Sequence, residues 1–216
     1  TARLSCTKKT NCFNQMEEIL KLDADALAAR VIDIMGSDTW PSVEKAIAMV
    51  HEKHGGQLRK DGSDFRGHPF RVALYLCEVA GLKDANLVCA GLLHDMVEDT
   101  NADHADIEDD FGPKVGDIVR AMTWPIRKDG VDRSEHDLKL FEGMRWDDRD
   151  VQIVKSADRL DNIATIEGAF CDEHRDAYLA TTRQGMLPLT LACNTALYHA
   201  LNNALTAKCL AVNILL

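Results

Sequence analysis

The 216-residue sequence predicts an all-α fold. Alanine and leucine dominate the apolar residues and β-branched runs are short, which favours helices. Apolar residues recur at helical spacing, whereas neither an Asn-Gly-type hairpin turn nor an alternation of period two stands out. The hydrophobic fraction of 46% is large enough to build a sizeable core. These features together indicate a soluble helical protein.

Capping residues and helix breakers divide the chain into segments. Asp23 and Asp84 are predicted N-caps, and Thr39 with Pro41 marks another helix start. One predicted helix begins at Ser134, which forms a variant capping box with Asp137, and Asp147 or Asp148 is predicted to cap the helix 150–166. The other predicted helices cover residues 24–35, 41–54, 68–79, 85–99, 105–111, 113–122, about 173–186 and about 189–213.

The chain shows no internal repeat and no low-complexity linker, so one compact domain is expected over residues 37–216. Residues 1–36 carry fewer motif constraints and are predicted to form an N-terminal helical appendage. The helix 85–99 is apolar on nearly every side, which predicts that it is buried.

Charge and cysteine content exclude several classes of protein. The net charge of −10 argues against non-specific binding to nucleic acid or to an anionic membrane surface. No uninterrupted apolar stretch is long enough to span a bilayer. The seven cysteines form no CxxC motif, which favours free thiols in a reducing cytoplasm. The oligomeric state stays open.

The pair His94-Asp95 follows two leucines at the end of an apolar helix. Burying two ionisable groups there is costly unless something compensates them, and a divalent metal ion is one such partner. The alternative is that His94 caps the helix and Asp95 pairs with a cation. That alternative is the better interpretation of a bare His-Asp dipeptide.

Two further residues favour a metal site. His68 precedes a proline at a predicted helix start, and Asp158 lies within the predicted helix 150–166. With His94 and Asp95 they make two imidazoles and two carboxylates, a set suited to a divalent cation with open positions. Each residue alone would more often be an ordinary surface group.

Other polar residues are candidates for the surrounding chemistry. Glu98 and Asp99 follow one turn after the His-Asp pair, where a carboxylate can deprotonate a water, although an acidic surface run is the alternative. Asp158, Asn162 and Thr165 share one helix face. The neighbouring residues of that helix, Arg159 and Asp161, are predicted to be solvated.

A cationic patch would be needed by an anionic substrate of this acidic protein. Guanidinium and ammonium groups recognise phosphate, although basic residues in a loop are usually only solubilising. The basic residues expected to surround the predicted metal ligands are Arg59, Lys60, Arg66, Arg71, Lys155 and Arg159.

These motifs together resemble the hydrolase domain of the RelA/SpoT-type alarmone enzymes, and most closely the stand-alone small alarmone hydrolases. The resemblance rests on HEKHGGQLRKDGSDFRGHPFRVA (51–73), AGLLHDMVEDT (90–100), FGPKVGDIVRAMT (111–123) and VQIVKSADRLDNIATI (151–166). It covers about half of the chain and implies an HD-domain helical bundle. The loop 62–65 departs from the family's Gly-Glu-Pro-Tyr, and Asp161 stands where the family has a histidine.

The resemblance also implies roles and a reaction. It implies Mn²⁺, or another divalent metal, and the removal of the 3′-pyrophosphate of (p)ppGpp to give GDP or GTP and pyrophosphate. By position, the implied metal ligands are His68, His94, Asp95 and Asp158, the water-activating pair is Glu98 and Asp99, and the nucleotide contacts are Arg59, Lys60, Asn162 and Thr165, with Arg59 stacked on the purine.

Two alternatives stay open from the sequence. The same metal site could act on another nucleotide, such as an adenosine alarmone or the 2′-phosphate of NADPH. The pocket could also belong to a non-catalytic nucleotide-sensing module. In each case the expected partner is a small nucleotide.

Overall fold

Helices form all of the regular secondary structure in the part of the chain that the computed structural model describes, residues 15–36, 41–167 and 170–212. Within these ranges the only strand-like pairing is an isolated antiparallel bridge between Leu58 and Asp64. The predicted all-α fold is therefore confirmed.

Residues 15–20 are helical and precede a series of named helices. Those helices are α1 (Ala24–Met35), α2 (Pro41–Lys53), α3 (Gly67–Leu74), α4 (Ala85–Leu93), α5 (Met96–Asp99), α6 (His104–Phe111), α7 (Pro113–Met122), α8 (Arg133–Met144), α9 (Arg149–Ala164), α10 (Asp172–Thr181), α11 (Leu187–Cys193) and α12 (Thr195–Ala211). Two π-helical turns, Tyr75–Val79 and Thr182–Met186, follow α3 and α10.

Most of the predicted helix starts are confirmed by their caps. The Asp23 carboxylate accepts the Ala26 N–H at 2.8 Å, and the Asp84 carboxylate accepts the Leu87 N–H at 3.0 Å. Asp148 caps α9 in the same way. Pro41 begins α2, whereas Thr39 lies outside the described residues. Each cap satisfies a backbone donor that the first turn of a helix leaves unpaired.

The predicted start of α8 was wrong. The helix begins at Arg133, and its N-cap is Asp132, whose carboxylate accepts the Glu135 N–H at 3.0 Å. Asp132 lies two residues before Ser134, and Asp is at least as good a cap as Ser. The proposed capping box of Ser134 and Asp137 therefore does not form.

The predicted C-terminal helix from about 189 to 213 is divided in two. Asn194 has extended backbone angles, and its side-chain oxygen accepts the N–H groups of Ala196 and Leu197, both at 3.0 Å. An asparagine that bonds its own downstream backbone competes with the helix and starts a new one. The predicted end at residue 213 lies outside the described residues.

Helix α9 lies at the centre of the fold. It packs against α3, α4, α7, α11 and α12, so a side chain of α9 can meet residues from distant parts of the sequence. Leu87 to Leu93 of α4 are buried, as predicted, but the predicted helix 85–99 breaks at His94 and Asp95, and Glu98 and Asp99 beyond the break are exposed. Because helices pack with their apolar faces together, the polar residues of α3, α4 and α9 are brought to a common edge of the core.

Helix α1 packs on α3, and its Leu27 and Val31 are fully buried in the same continuous apolar core as the rest of the described chain. The division of the chain at residue 36 stays a prediction. None of the helices in the described ranges has the length and apolar character needed to cross a membrane.

Candidate metal centre and nucleotide pocket

Four predicted ligands come together although 90 residues separate the first from the last. His68 lies in the first turn of α3, His94 and Asp95 lie at the break between α4 and α5, and Asp158 lies in α9. The Nε2 atoms of His68 and His94 are 3.2 Å apart. Each of these nitrogens therefore points toward the same small volume.

The two carboxylates point to the same volume. Asp158 Oδ1 lies 3.3 Å from His68 Nε2 and 3.7 Å from His94 Nε2. The two oxygens of Asp95 lie 3.4 Å and 3.2 Å from the same nitrogens. One donor atom each from His68, His94 and Asp95 falls within a span of 4.8 Å. These three groups are close enough to bind one cation, and the carboxylate of Asp158 lies beside them.

Hydrogen bonds on the far side of each ring fix the orientation of the imidazoles. His94 Nδ1–H donates to the Gly91 carbonyl at 2.8 Å, and His68 Nδ1–H donates to Asp161 Oδ2 at 2.7 Å. Because a carbonyl and a carboxylate only accept, both rings carry the proton on Nδ1. Both Nε2 lone pairs then face the carboxylates, which is unfavourable unless a proton or a metal ion lies between them.

The charges of this cluster favour a cation. Burial acts to lower the pKa of His68, but the neighbouring carboxylates of Asp158, Asp161 and Asp95 raise it from 6.5 to about 10. Burial acts to raise the pKa of Asp158, but Lys155 and the two histidines hold it well below its usual range. The protein without metal therefore holds protons at the positions where a metal would bind.

Metal binding at pH 7 is expected to release at least one proton. Since the folded-state pKa of His68 is raised from 6.5 to about 10, protonation of this ring stabilises the metal-free fold below pH 6.5 and that contribution is lost as the pH rises through about 10. A metal competes with this proton, so its affinity should tighten as the pH rises. Titration calorimetry in two buffers of different ionisation enthalpy measures the release. Identical heats in both buffers would contradict the expectation.

Glu98 and Asp99 form the short helix α5 with Met96 and Val97, and both side chains are exposed. The Trp124 N–H donates to Glu98 Oε1 at 2.6 Å and so fixes one end of this carboxylate. Partial desolvation and the charge of Asp95 raise the pKa of Glu98, although the Trp124 N–H opposes the shift. Desolvation and the charge of Asp95 also raise the pKa of Asp99. A raised pKa suits a group that must accept a proton.

Two cavities open beside the cluster, and both are lined by Glu98, Lys155, Asp158 and Asn162. The smaller has a volume of about 370 Å³, and its further walls include Arg59, Lys60, Phe65, His68, Asp95 and Phe170. The larger has a volume of about 640 Å³, and its basic residues are Arg127, Arg133, Lys155 and Arg159. His68, Asp95 and Asp158 of the candidate metal centre line the smaller cavity, whereas only Asp158 of the cluster lines the larger one, whose charged walls are mixed, with Glu98, Asp99 and Asp137 beside the basic residues.

The predicted nucleotide contacts lie together at the smaller cavity. Arg59 Nη2 donates to Asn162 Oδ1 at 3.1 Å and to Thr165 Oγ1 at 3.3 Å. The Lys60 ammonium lies 4.9 Å from the centre of the Phe170 ring. Arg59, Lys60 and Asn162 line the cavity itself, whereas Thr165 contacts it through Arg59.

Two arginines of the predicted cationic patch are already paired. Arg66 binds the Asp64 carboxylate through Nε and Nη2, and Arg71 binds both oxygens of Asp161. A guanidinium engaged in this way does not offer its fork to a phosphate. The patch that faces the cavity is therefore smaller than the sequence predicts.

The prediction that Arg159 and Asp161 are solvated was wrong. Asp161 is fully buried and Arg159 is 2% exposed. The guanidinium carbon of Arg159 lies 3.8 Å from the centre of the Tyr178 ring and 4.9 Å from that of Phe141. The sequence did not predict that Asp161 is a hydrogen-bond partner of His68. The one feature of the sequence that could have pointed to Asp161 is that it stands, next to Asn162, where the RelA/SpoT-type family has a histidine.

The helical fold and the histidine and aspartate cluster at a helix break define the class of protein. Residues 46–184 match the family described as HD domain, and the chain belongs to that family. The predicted relationship to RelA/SpoT-type hydrolase domains is also confirmed by the relatives of this chain.

Two of the most similar curated relatives are bacterial proteins. One is the probable guanosine-3′,5′-bis(diphosphate) 3′-pyrophosphohydrolase of Mycoplasma pneumoniae, which is 32% identical over 164 residues, 72% of this chain and 22% of the relative. Another is the guanosine-3′,5′-bis(diphosphate) 3′-pyrophosphohydrolase of Aquifex aeolicus, 34% identical over 148 residues, 68% of this chain and 21% of the relative. The matched region thus spans about a fifth of the length of these relatives.

One solved structure is similar to this chain over nearly the whole length of the solved protein. It is a metazoan ortholog of SpoT described as hydrolysing ppGpp and as having a role in starvation responses. The TM-score is 0.67 at 26% sequence identity, and the similarity covers 76% of this chain and 94% of the other.

Proposed function

We propose that this chain is a metal-dependent phosphohydrolase that removes the 3′-pyrophosphate of (p)ppGpp and releases GDP or GTP and pyrophosphate. The observation that carries the proposal is the convergence of His68, His94, Asp95 and Asp158 beside a cavity that contains Arg59 and Lys60. The names of the two bacterial relatives and the described activity of the metazoan one support the choice of substrate.

The metal would be held by the two imidazole Nε2 atoms and the carboxylates of Asp95 and Asp158. Two nitrogen and two oxygen donors suit a cation of borderline hardness, and Mn²⁺ is the proposed ion. Such an ion supplies Lewis acidity for phosphoryl chemistry when it is bound. The carbonyl of Gly91 and the carboxylate of Asp161 keep the two rings turned toward it.

The protein's own groups would then carry out the proton transfer. A water molecule attacks the phosphorus nearest the ribose, and Glu98, with its raised pKa, accepts the proton that this water loses. The bond between the 3′-oxygen and phosphorus breaks, pyrophosphate leaves with the oxygen of the attacking water, the 3′-oxygen takes a proton from solvent, and Glu98 returns its proton to solvent. Lys155, which lines both cavities, lies where it can neutralise charge on the phosphates.

The nucleotide would enter by replacing contacts that the protein makes with itself. The guanidinium of Arg59 must leave Asn162, Thr165 and Asp161 to stack on a purine, and a donor of the sugar or base can then bond to the freed oxygens Asn162 Oδ1 and Thr165 Oγ1. Phe65 and Phe170 offer apolar surface in the same cavity. Exchange of one set of hydrogen bonds for another keeps the cost of opening the pocket small.

A panel of nucleotides tests the substrate and the reaction together. Purified protein with Mn²⁺ is expected to release pyrophosphate, and no orthophosphate, from ppGpp and pppGpp. Removal of metal with a chelator should abolish turnover, and added Mn²⁺ should restore it. Faster turnover of an adenosine alarmone, or faster release of orthophosphate from NADPH, would overturn the proposed substrate. Nucleotide binding without any turnover would overturn the enzymatic role in favour of a sensing module.

A further inference from the structure

We propose that Asp161, held by Arg71, is a positioning residue that presents His68 to the metal and strengthens metal binding. The inference deepens the proposed function, because it rests on the proposed metal centre. Asp161 is fully buried in α9 and lies on the far side of His68 from the candidate metal position. It is not one of the four proposed ligands, so its effect would pass through the ring.

The bond between Asp161 and His68 is of the kind that tunes a metal ligand. Asp161 Oδ2 accepts the Nδ1–H of His68 at 2.7 Å, which leaves Nε2 free for the metal and prevents rotation of the ring. His94 uses the neutral Gly91 carbonyl for the same purpose at 2.8 Å. A charged acceptor bonds more strongly than a neutral one and makes the imidazole a better electron donor. Of the two imidazoles, His68 is therefore held by the stronger hydrogen bond and is the better electron donor to a metal.

Arg71 lowers the energetic cost of burying the charged carboxylate of Asp161. Its Nε donates to Oδ1 at 2.6 Å and its Nη2 donates to Oδ2 at 3.0 Å. A buried carboxylate without a partner of opposite charge would be strongly destabilising. The two bonds also fix the plane of the carboxylate, so that Oδ2 stays aligned with the His68 ring.

The start of α3 leaves room for this guanidinium. A Cβ atom at Gly67 would lie 2.8 Å from Arg71 Nη1, closer than Cβ atoms approach other heavy atoms, so a side chain at this position would displace the tip of Arg71. Arg59 Nη1 also lies 3.4 Å from Asp161 Oδ2, so a second guanidinium, from a residue that lines the smaller cavity, pairs with the same buried carboxylate. Hydrogen bonds thus connect Arg71 to Asp161 and Asp161 to His68, whose Nε2 faces the candidate metal position.

The test compares metal affinity in Asp161→Asn with that of the wild-type chain. Asparagine keeps the shape of the side chain but removes the charge, and we expect Mn²⁺ and Zn²⁺ to bind about 10- to 100-fold more weakly in competition with a chelator. Glu78→Gln is the matched control, because it breaks the part-buried bidentate pair of Arg30 and Glu78 between α1 and a π-helical turn. This control should lose stability but keep its metal affinity.

A folded Asp161→Asn chain that binds metal within about twofold of the wild type would overturn the proposal. Equal loss of affinity in Glu78→Gln would overturn it too, because a general loss of stability would then explain the result.

A second measurement uses the wild-type chain and so does not depend on the folding of a variant. In the Zn²⁺-loaded protein, nitrogen-15 NMR should show His68 with its proton on Nδ1, strongly deshielded by the carboxylate and protected from exchange. A His68 ring protonated on Nε2, or an Nδ1 proton that exchanges as freely as that of an exposed histidine, would overturn the proposal whatever the variant does. Pyrophosphate release is not read in either experiment, so failure of the proposed substrate leaves both informative.

Discussion

Replacing Asp158 by asparagine is expected to lower kcat/KM for the pyrophosphate-releasing reaction by at least roughly 10³-fold, since the Lewis acidity of a bound metal is worth several kcal/mol. Asp158 Oδ1 lies close to both imidazole Nε2 atoms, so its charge is central to the cluster. Asparagine retains the size of the side chain, and its one oxygen can still accept a hydrogen bond from Lys155 or from Asn162, which donate to Asp158 at 2.9 Å and 2.6 Å. The fold should therefore survive while the metal is lost.

Metal content and turnover are measured on the same preparation. Elemental analysis after gel filtration should find one equivalent of metal in the wild-type chain and much less in Asp158→Asn. Asp109→Ala is the control, because Asp109 is an exposed residue of α6, and it should keep both metal and activity. A fully metal-loaded Asp158→Asn chain with activity within about tenfold of the wild type would mean that the metal lies elsewhere.

The helices could be predicted from the sequence because their signals are local. Aspartates at 23, 84 and 148 each cap a helix by bonding a backbone N–H two or three residues away. The same local reasoning failed at Ser134 because two good capping residues lie close together, and the sequence does not rank them. It failed at Asn194 because a single asparagine inside an apolar run is compatible with both a continuous and a divided helix.

The four proposed metal ligands could be predicted because their residue types suit a cation and their neighbours carry recognisable motifs. The partners of Asp161 could not. Its bonds to Arg71 and His68 span 90 and 93 residues, and helical periodicity reports only on residues of the same helix. A charged residue with a buried partner has the same helical spacing as one in water, so the sequence predicts solvent exposure for both Asp161 and Arg159. Only tertiary packing distinguishes the two cases: α3 covers Asp161, and the rings of Phe141 and Tyr178 cover Arg159.

Replacing Glu98 by glutamine is expected to lower kcat by roughly 10²-fold or more while metal content and substrate binding stay unchanged. Glutamine is nearly isosteric, and its side-chain oxygen can still accept the Trp124 N–H, so the loop that contacts Glu98 keeps its anchor. What the variant loses is the capacity to accept a proton from the attacking water. The loss should therefore appear in kcat rather than in KM.

The pH profile separates a role in proton transfer from a structural one. Desolvation and the charge of Asp95 raise the pKa of Glu98, so wild-type activity should fall as the pH drops through that raised value, where the carboxylate becomes protonated and can no longer act as a base. Glu98→Gln should lose this acidic limb along with most of its activity. Asp99→Asn is the matched comparison, since Asp99 is the adjacent carboxylate with a pKa raised for the same reasons. If Glu98→Gln keeps the wild-type kcat and Asp99→Asn does not, the proton acceptor is Asp99, because only one of the two carboxylates needs to take the proton from the water.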